Sequence, residues 1–515
     1  MVRKMLRCRH VIRQIQVPLL RPHSTGSKPP GGDDPNDLHP IRRTFRLLGK
    51  DMRKIKEFFV PKEDQFDSEN KPQPIATSNK FNFSGDKGSN DEFPTHCDVL
   101  IIGGGGMGSS IAYWLKQKAR DGLNVVVVEK DIKHEKSATR VSINGLSHHF
   151  ALPETIQMSL FAADFLREAP EHFGTDIPIK YMPYGHLVLA GEEDAEMLKQ
   201  TSQLQNELGA RNELLTKDRL ASKFPWLNTK GIALGCYGQE REGWFDPWAL
   251  LANYKRAAQG YGAHFVHGEA VAFEFVSQAD IIVTNSEKGG YQSLDKVIIQ
   301  LPGGAKRSIK FALCVIAAGI KSGDVARLAR IGLGEGVLHL PLPIDARKRY
   351  MYKINTQDQS APGMAMPMVV DATTGTYIRR VGLGGDYVCG HNALPGEKMS
   401  SDNLDVDPTY FNENILPALI ERVPAFVNAK VVNSMAGLYD YNVYDDNGIL
   451  GPHPYYHNLY IASGFSGQGI QQTPALGRAI SELIMDGQFR TLDLSRLGFD
   501  RLIVDKPMYE FNALN

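Results

Sequence analysis

The stretch DVLIIGGGGMG, residues 98–108, runs an apolar segment directly into five glycines within six positions. Glycine loses more backbone freedom on folding than any other residue, so this concentration needs a reason that only bare backbone supplies. Gly103, Gly105 and Gly108 stand at the spacing G-x-G-x-x-G. Before them CDVLIIG predicts a short buried strand, and after them MGSSIAYWLKQKARDG predicts a helix with its stop at Gly122. LNVVVVEK predicts a second strand without polar alternation, as in a sheet covered on both faces. Glu129 closes that strand about 20 residues after the loop, the offset of an acid that accepts hydrogen bonds from ribose hydroxyls. This order predicts a dinucleotide site: one glycine for the tight turn, one for approach of a pyrophosphate, one for close helix packing. The phosphates would rest on unpaired N–H groups at the helix N-terminus. Gly106 and Met107 within the loop, and Lys130 and Ser137 beyond Glu129, complete the expected contacts on this side. An acid at position 129 disfavours a 2′-phosphate and hence NADP, while NAD and FAD both fit.

Two later glycine segments favour FAD. VIAAGI ends a predicted strand in small residues, placing Ala318 and Gly319 where a second backbone could pass the cofactor. IASGFSGQGIQQTPALG ends a strand at Ser463 and begins a helix near Gly469. There Gly464, Gly467, Gln468, Gly469 and Ile470 would bring N–H groups and a positive helix end to a third point on the ligand. A reduced flavin gathers negative charge that such a helix end stabilises, and three separated contacts suit an extended FAD.

Lys plus Arg equals Asp plus Glu at 58 each, so no global charge argues for a nucleic-acid partner. No apolar run is long enough to predict a transmembrane helix. Five scattered cysteines without a C-x-x-C pair argue against a disulfide framework or structural zinc. Residues 1–30 differ in kind: MVRKMLRCRHVIRQIQVPLL is arginine-rich, amphipathic and acid-free, the composition of a mitochondrial presequence, and predicts a matrix location. Residues 31–95 read as linker. Within them residues 41–59 show an apolar stripe at helical spacing opposite arginines and lysines. That segment reads as a helix lying on an anionic membrane surface or docked on a partner, or as a helix packed on its own domain.

Further along, helices are predicted over 152–169 and 246–262, the second with Asp246 as N-cap and Pro247 at its first position. HFVHGEAVAFEF, FALCVIAAG and NLYIASG predict strands, whereas residues 335–440 lack strand–helix alternation and predict a β-rich layer facing the substrate. The expected fold class is α/β (α+β). A Rossmann-type FAD-binding domain, discontinuous over 97–180, 240–334 and 441–490, joins a β-sheet substrate domain over 181–239 and 335–440, with 491–515 as an extension.

DVLIIGGGGMGSSIAYWL, VVVVEK, GWFDP, VIAAG, AGLYDYN and ASGFSGQGIQQTPALG together resemble the FAD-dependent D-amino-acid oxidase superfamily, in its sarcosine oxidase and dimethylglycine dehydrogenase branch. With the presequence and SHHFALPETIQMSLFAADFLR, the chain is most similar to a mitochondrial group in that superfamily that assists assembly of respiratory complex I. The resemblance implies FAD as cofactor and complex I assembly intermediates as partners. It also implies Val271 as an adenine-side contact, and peripheral contact with the inner membrane follows from residues 41–59. Relatives that bind flavin covalently do so where this chain has Ser142 or Gly437, so the FAD is expected to be non-covalent. Where relatives carry a substrate-clamping lysine and arginine, this chain has Gln471 and the segment holding His148 and His149. Tyr439, Arg379 and His148 are the candidate catalytic residues, with Arg379 or Arg380 replacing the missing charge. No metal site is expected, since no third ligand is visible beside His148 and His149. The resemblance implies an assembly role first, and a dehydrogenase of a secondary amine or N-methyl amino acid as the alternative.

Overall fold

The computed structural model describes residues 93–135, 137–278, 291–392, 401 and 403–511. The predicted presequence and the basic stripe over 41–59 lie outside the described residues.

Two eight-stranded sheets alternate along the chain. In the first, His96–Ile102 lies at the centre with Val125–Glu129 parallel on one side and Lys306–Ile316 parallel on the other. His264–His267 extends it parallel to Val125–Glu129, and Leu459–Ser463 extends it parallel to Lys306–Ile316. An antiparallel hairpin, Glu269–Gln278 with Tyr291–Gln300, hangs from the first half of Lys306–Ile316. HFVHGEAVAFEF thus forms two strands rather than one, parted at Gly268, where a Cβ would stand 2.4 Å from an Ile299 methyl.

The apolar run at 125–128 follows from burial on both faces. Val125 and Val127 pack with Ile101 against a helical layer that holds Leu115, Leu250 and Leu476. Val126 and Val128 pack with Leu100 and Ile102 against the hairpin side, beside Phe273 and Val297. Each such side chain contributes about 1.5–3 kcal/mol relative to exposure. The helices of the first layer are Gly106–Ala119, Pro153–Arg167, Pro247–Gly260 and Gly469–Asp486. Asp246 caps Pro247–Gly260 by accepting from the N–H groups of Trp248 and Ala249 at 3.0 and 3.1 Å. The first helix stops at Ala119 rather than Gly122, because Arg120 takes a positive φ of 48° and its own N–H turns back to Lys116.

The second sheet runs Lys430–Asn442, Ile344–Asn355, Asp386–His391, Thr376–Val381, Met368–Asp371, His186–Ala190, Leu234–Gly238, Asn212–Thr216. It joins strands far apart in the chain through the parallel pairing of Met368–Asp371 with His186–Ala190. No helix among the described residues is long and apolar enough to cross a membrane.

Candidate active site

A cavity of about 770 Å³ opens at the carboxyl ends of the first sheet's parallel strands. Its wall includes Ile102, Val128, Ala317 and Ala462, and the helices beginning at Gly106 and Gly469 both start at its edge. The three motif glycines do three different things. Gly103 sits at φ +107°, and a Cβ there would lie 2.2 Å from the Ala317 carbonyl oxygen. Gly108 touches the loop it follows so closely that a Cβ would lie 1.8 Å from the Gly103 oxygen. Gly105 lines the cavity, and a Cβ there meets nothing within 4 Å. Bare backbone at Gly105 therefore faces open space at a helix N-terminus, the arrangement a pyrophosphate requires.

Glu129 ties this loop to the second strand. Its two carboxylate oxygens accept from the N–H groups of Gly104 and Asp131, each at 2.6 Å. Burial nonetheless pushes its carboxyl pKa up. Behind it stand two residues that the sequence reading missed. Lys255, from Pro247–Gly260, is buried and hydrogen-bonds the His134 ring, which lines the cavity. Burial lowers the lysine to about 8 and the imidazole to about 4, the lysine charge adding to the second shift. Lys255 is buried on a largely apolar helix beside another buried polar residue, Asn253, so no local pattern marks it.

Of the predicted contacts, Gly103, Gly105, Gly106, Met107, Glu129, Lys130, Ser137, Val271, Ala318, Gly319, Gly467, Gly469 and Ile470 all line this cavity. Lys130 also forms an exposed pair with Glu269 at 2.6 Å. Gly108 and Gly464 do not line it. The Gly464 N–H donates to Asp440 at 2.6 Å, its φ is +82°, and a Cβ would meet Ile344 at 2.2 Å, so it serves the turn. Gln468 lines a second, smaller cavity of about 170 Å³ that shares Ser142, Arg349, Phe465, Gly467 and Ile470 with the first.

The smaller cavity corrects the substrate-side candidates. Arg379 lines neither cavity: its Nε donates to the Ile143 carbonyl at 2.6 Å, and its guanidinium lies 5.5 Å from the Trp244 ring. Arg380 is likewise engaged by the Pro362 carbonyl and Tyr387. His148 turns away toward Ser159 Oγ at 2.8 Å, and burial lowers its pKa to about 3. Tyr439 does line the larger cavity, and the cation beside it is Arg349, 4.5 Å from its ring centroid. Arg349 lines both cavities and belongs to none of the ion pairs among the described residues. Gly437, the other position where relatives carry a covalent link, sits opposite it in the sheet register. Nothing in the local sequence around Arg349 marks it; its strand Ile344–Asn355 is paired on both sides, and its role comes from neighbours distant in the chain. Asp446 and Glu510 add two carboxylates to the same small cavity.

The comparisons decide what this arrangement holds. Residues 98–483 match the family model of FAD-dependent oxidoreductases of the DAO type. The chain belongs to that family. It is similar to an FAD-dependent oxidoreductase domain-containing protein 1 homolog from Drosophila melanogaster, at 62% identity over 99% of both chains. The Xenopus laevis protein of that name is 43% identical, over 82% of this chain and 85% of its own length. Among solved structures the fold is similar to that of L-proline dehydrogenase from P. horikoshii, with a TM-score of 0.66 at 21% identity, over 81% of this chain and all of the other. As in this family, FAD is the cofactor. The glycine loop, Glu129 and the two helix N-termini around the larger cavity fit it.

Proposed function

We propose that this chain is an FAD-dependent dehydrogenase of a small amine that carries a carboxylate, such as a secondary or N-methyl amino acid. The observation that carries the reading is Arg349, a cation without an ion-pair partner among the described residues, set where the cavities meet. A carboxylate held there would place the adjoining carbon at the junction, and bidentate contact would fix its orientation. Asp446 and Glu510, on the wall of the same cavity, complement a protonated amine and can take up its proton. FAD, when bound, would supply the two-electron acceptor for oxidation of the substrate's C–N bond to an imine. Gly105 and Gly106 would hold the pyrophosphate, Glu129 the ribose, and the Gly469 helix end would stabilise the negative charge of a reduced flavin. The small volume beyond Gln468 limits the substrate to amino-acid size.

Anaerobic mixing of the purified holoprotein with a panel of N-methyl and secondary amino acids tests this. Bleaching of the oxidised-flavin absorption within turnover times is expected for at least one of them. No bleaching by any, with dithionite still reducing the flavin, ends the proposal.

A second role is supported by the sequence rather than the site. The arginine-rich start and the basic stripe over 41–59, with the resemblance to assembly factors, favour a protein of the mitochondrial matrix. There it would bind partly built complex I, in peripheral contact with the inner membrane. Native electrophoresis of mitochondria should show co-migration with complex I intermediates that is lost when the stripe's arginines become glutamines. Migration away from every intermediate would end this second role.

A further inference from the structure

Three chain segments bring His149, His186 and Glu242 together at the smaller cavity. One ring nitrogen of each histidine and one carboxylate oxygen lie within 4.8 Å of one another, and all three residues are buried. His149 Nε2 stands 3.4 Å from Glu242 Oε2, and the two imidazoles face each other at 5.1 Å between centroids, tilted by 38°. His149 and His186 reach the cavity, while Glu242 lies behind them.

Two atoms are unaccounted for. Glu242 Oε1 and His186 Nδ1 are buried and have no hydrogen-bond partner. A wholly buried carboxylate costs several kcal/mol unless a cation offsets it, and no lysine or arginine pairs with Glu242 among the described residues. The fold makes deliberate room for it: at Gly238 a Cβ would lie 1.7 Å from Glu242 Oε1. The carboxylate is also positioned from behind, since the His148 N–H donates to Oε2 at 3.2 Å. His149 is engaged by the backbone of His186, the kind of outer contact that orients an imidazole ligand.

We propose that His149, His186 and Glu242 form a binding site for a borderline divalent first-row metal ion, zinc in the first instance, with an open position toward the smaller cavity. Two neutral imidazoles and one carboxylate are the donor set for such an ion, and three protein ligands leave a position for water or a ligand oxygen. Bond lengths of about 2.0–2.2 Å require the donors to draw in by roughly half an ångström. The ion replaces the missing positive charge beside Glu242 and takes up the unpartnered atoms. It stands independently of the amine reading, because it concerns metal content and not turnover.

The holoprotein is stripped with chelator, dialysed against zinc sulfate, passed through a desalting column, and assayed for zinc and for acid-released flavin. About one zinc per chain is expected in the wild type, and a loss of roughly tenfold or more in Glu242→Gln and His186→Gln, with flavin content unchanged. Zinc below about a tenth of an equivalent in wild type, or full zinc in both variants, overturns the site. X-ray absorption at the zinc edge of the wild-type protein needs no variant: a shell of imidazole nitrogen and oxygen supports the site. A sulfur shell, pointing to the cysteines, overturns it.

Discussion

A Cβ built on Gly467 would stand 2.8 Å from Nη2 of Arg349. The loop that meets the flavin is therefore bare at the point where the cation comes through, and φ of +88° at Gly467 makes glycine doubly necessary. Gly467→Ala should push the guanidinium aside and weaken the best-binding amino acid of the panel about tenfold. Arg349→Met, which removes a charge-assisted contact outright, should cost about 10–100-fold. Titration by flavin absorbance measures both. Unchanged affinity in Arg349→Met would remove Arg349 from the site.

Gly105 and Gly108 separate cofactor binding from folding. Gly105 has an ordinary φ of −69° and open space where a side chain would go. Gly105→Leu should therefore lose FAD while leaving the melting temperature of the apoprotein nearly unchanged. Gly108→Ala meets backbone, so it should destabilise the apoprotein by about 3 kcal/mol or more. Flavin content and apoprotein melts distinguish the two, and a Gly105→Leu protein that keeps its flavin would refute the loop's role.

This division explains what the sequence could and could not reveal. The loop was legible because turn, phosphate contact and helix packing act within one continuous strand–loop–helix–strand run, from Val99 to Glu129. Strands and caps such as Asp246 were legible for the same reason. Arg349, Lys255, Glu242 and Glu510 were not, because their meaning comes from partners distant in the sequence: Tyr439 and Gly467 for Arg349, His134 for Lys255, His149 and His186 for Glu242, and residues 151–155 for Glu510. Arg379 and His148 misled for the converse reason: a charge or an imidazole near the right motif can face a carbonyl or a serine instead.

The flavin should leave the protein on acid denaturation. Ser142 lines both cavities but is no nucleophile for flavin, and Gly437 has no side chain. Cys97, Cys236, Cys314 and Cys389 are buried away from both cavities. A colourless pellet and yellow supernatant after acid precipitation are expected; a yellow pellet would contradict non-covalent binding.

Glu242 makes the metal-free protein pH-sensitive in a definite direction. Burial pushes its carboxyl up to about 8 from 4.5, so the folded state holds a proton that the unfolded chain has released. Its stabilising contribution is complete below pH 4.5 and lost as pH rises toward 8. His148, His149 and His186 are lowered by burial and act oppositely, but only below 6.5, the value of a free imidazole. Above 6.5 the histidines no longer contribute. Glu129, Asp440 and Glu510, also raised by burial, act in the same direction as Glu242, so the comparison with a Glu242 variant isolates its share. Glu242→Gln in chelator-treated protein should flatten that decline and be more stable at pH 8 by about 1–3 kcal/mol. Denaturant melts at several pH values measure it, and parallel curves for the two proteins would show that Glu242 does not carry the proton.

Glu510 couples the last turns of the chain to the small cavity. One carboxylate oxygen accepts from the Ala151 and Leu152 N–H groups at 2.6 and 3.2 Å, and the other takes the Thr155 hydroxyl. These contacts close the N-terminal end of the helix Pro153–Arg167, whose Leu152 N-cap offers no side-chain acceptor of its own. Glu510→Ala should therefore cost about 1–2 kcal/mol, the worth of a lost helix cap. Because Glu510 also lines the small cavity, the substitution should weaken amine-bearing ligands more than simple carboxylates such as acetate. A purely structural Glu510 would lower stability and leave that ratio unmoved, so the two measurements on one variant separate capping from recognition.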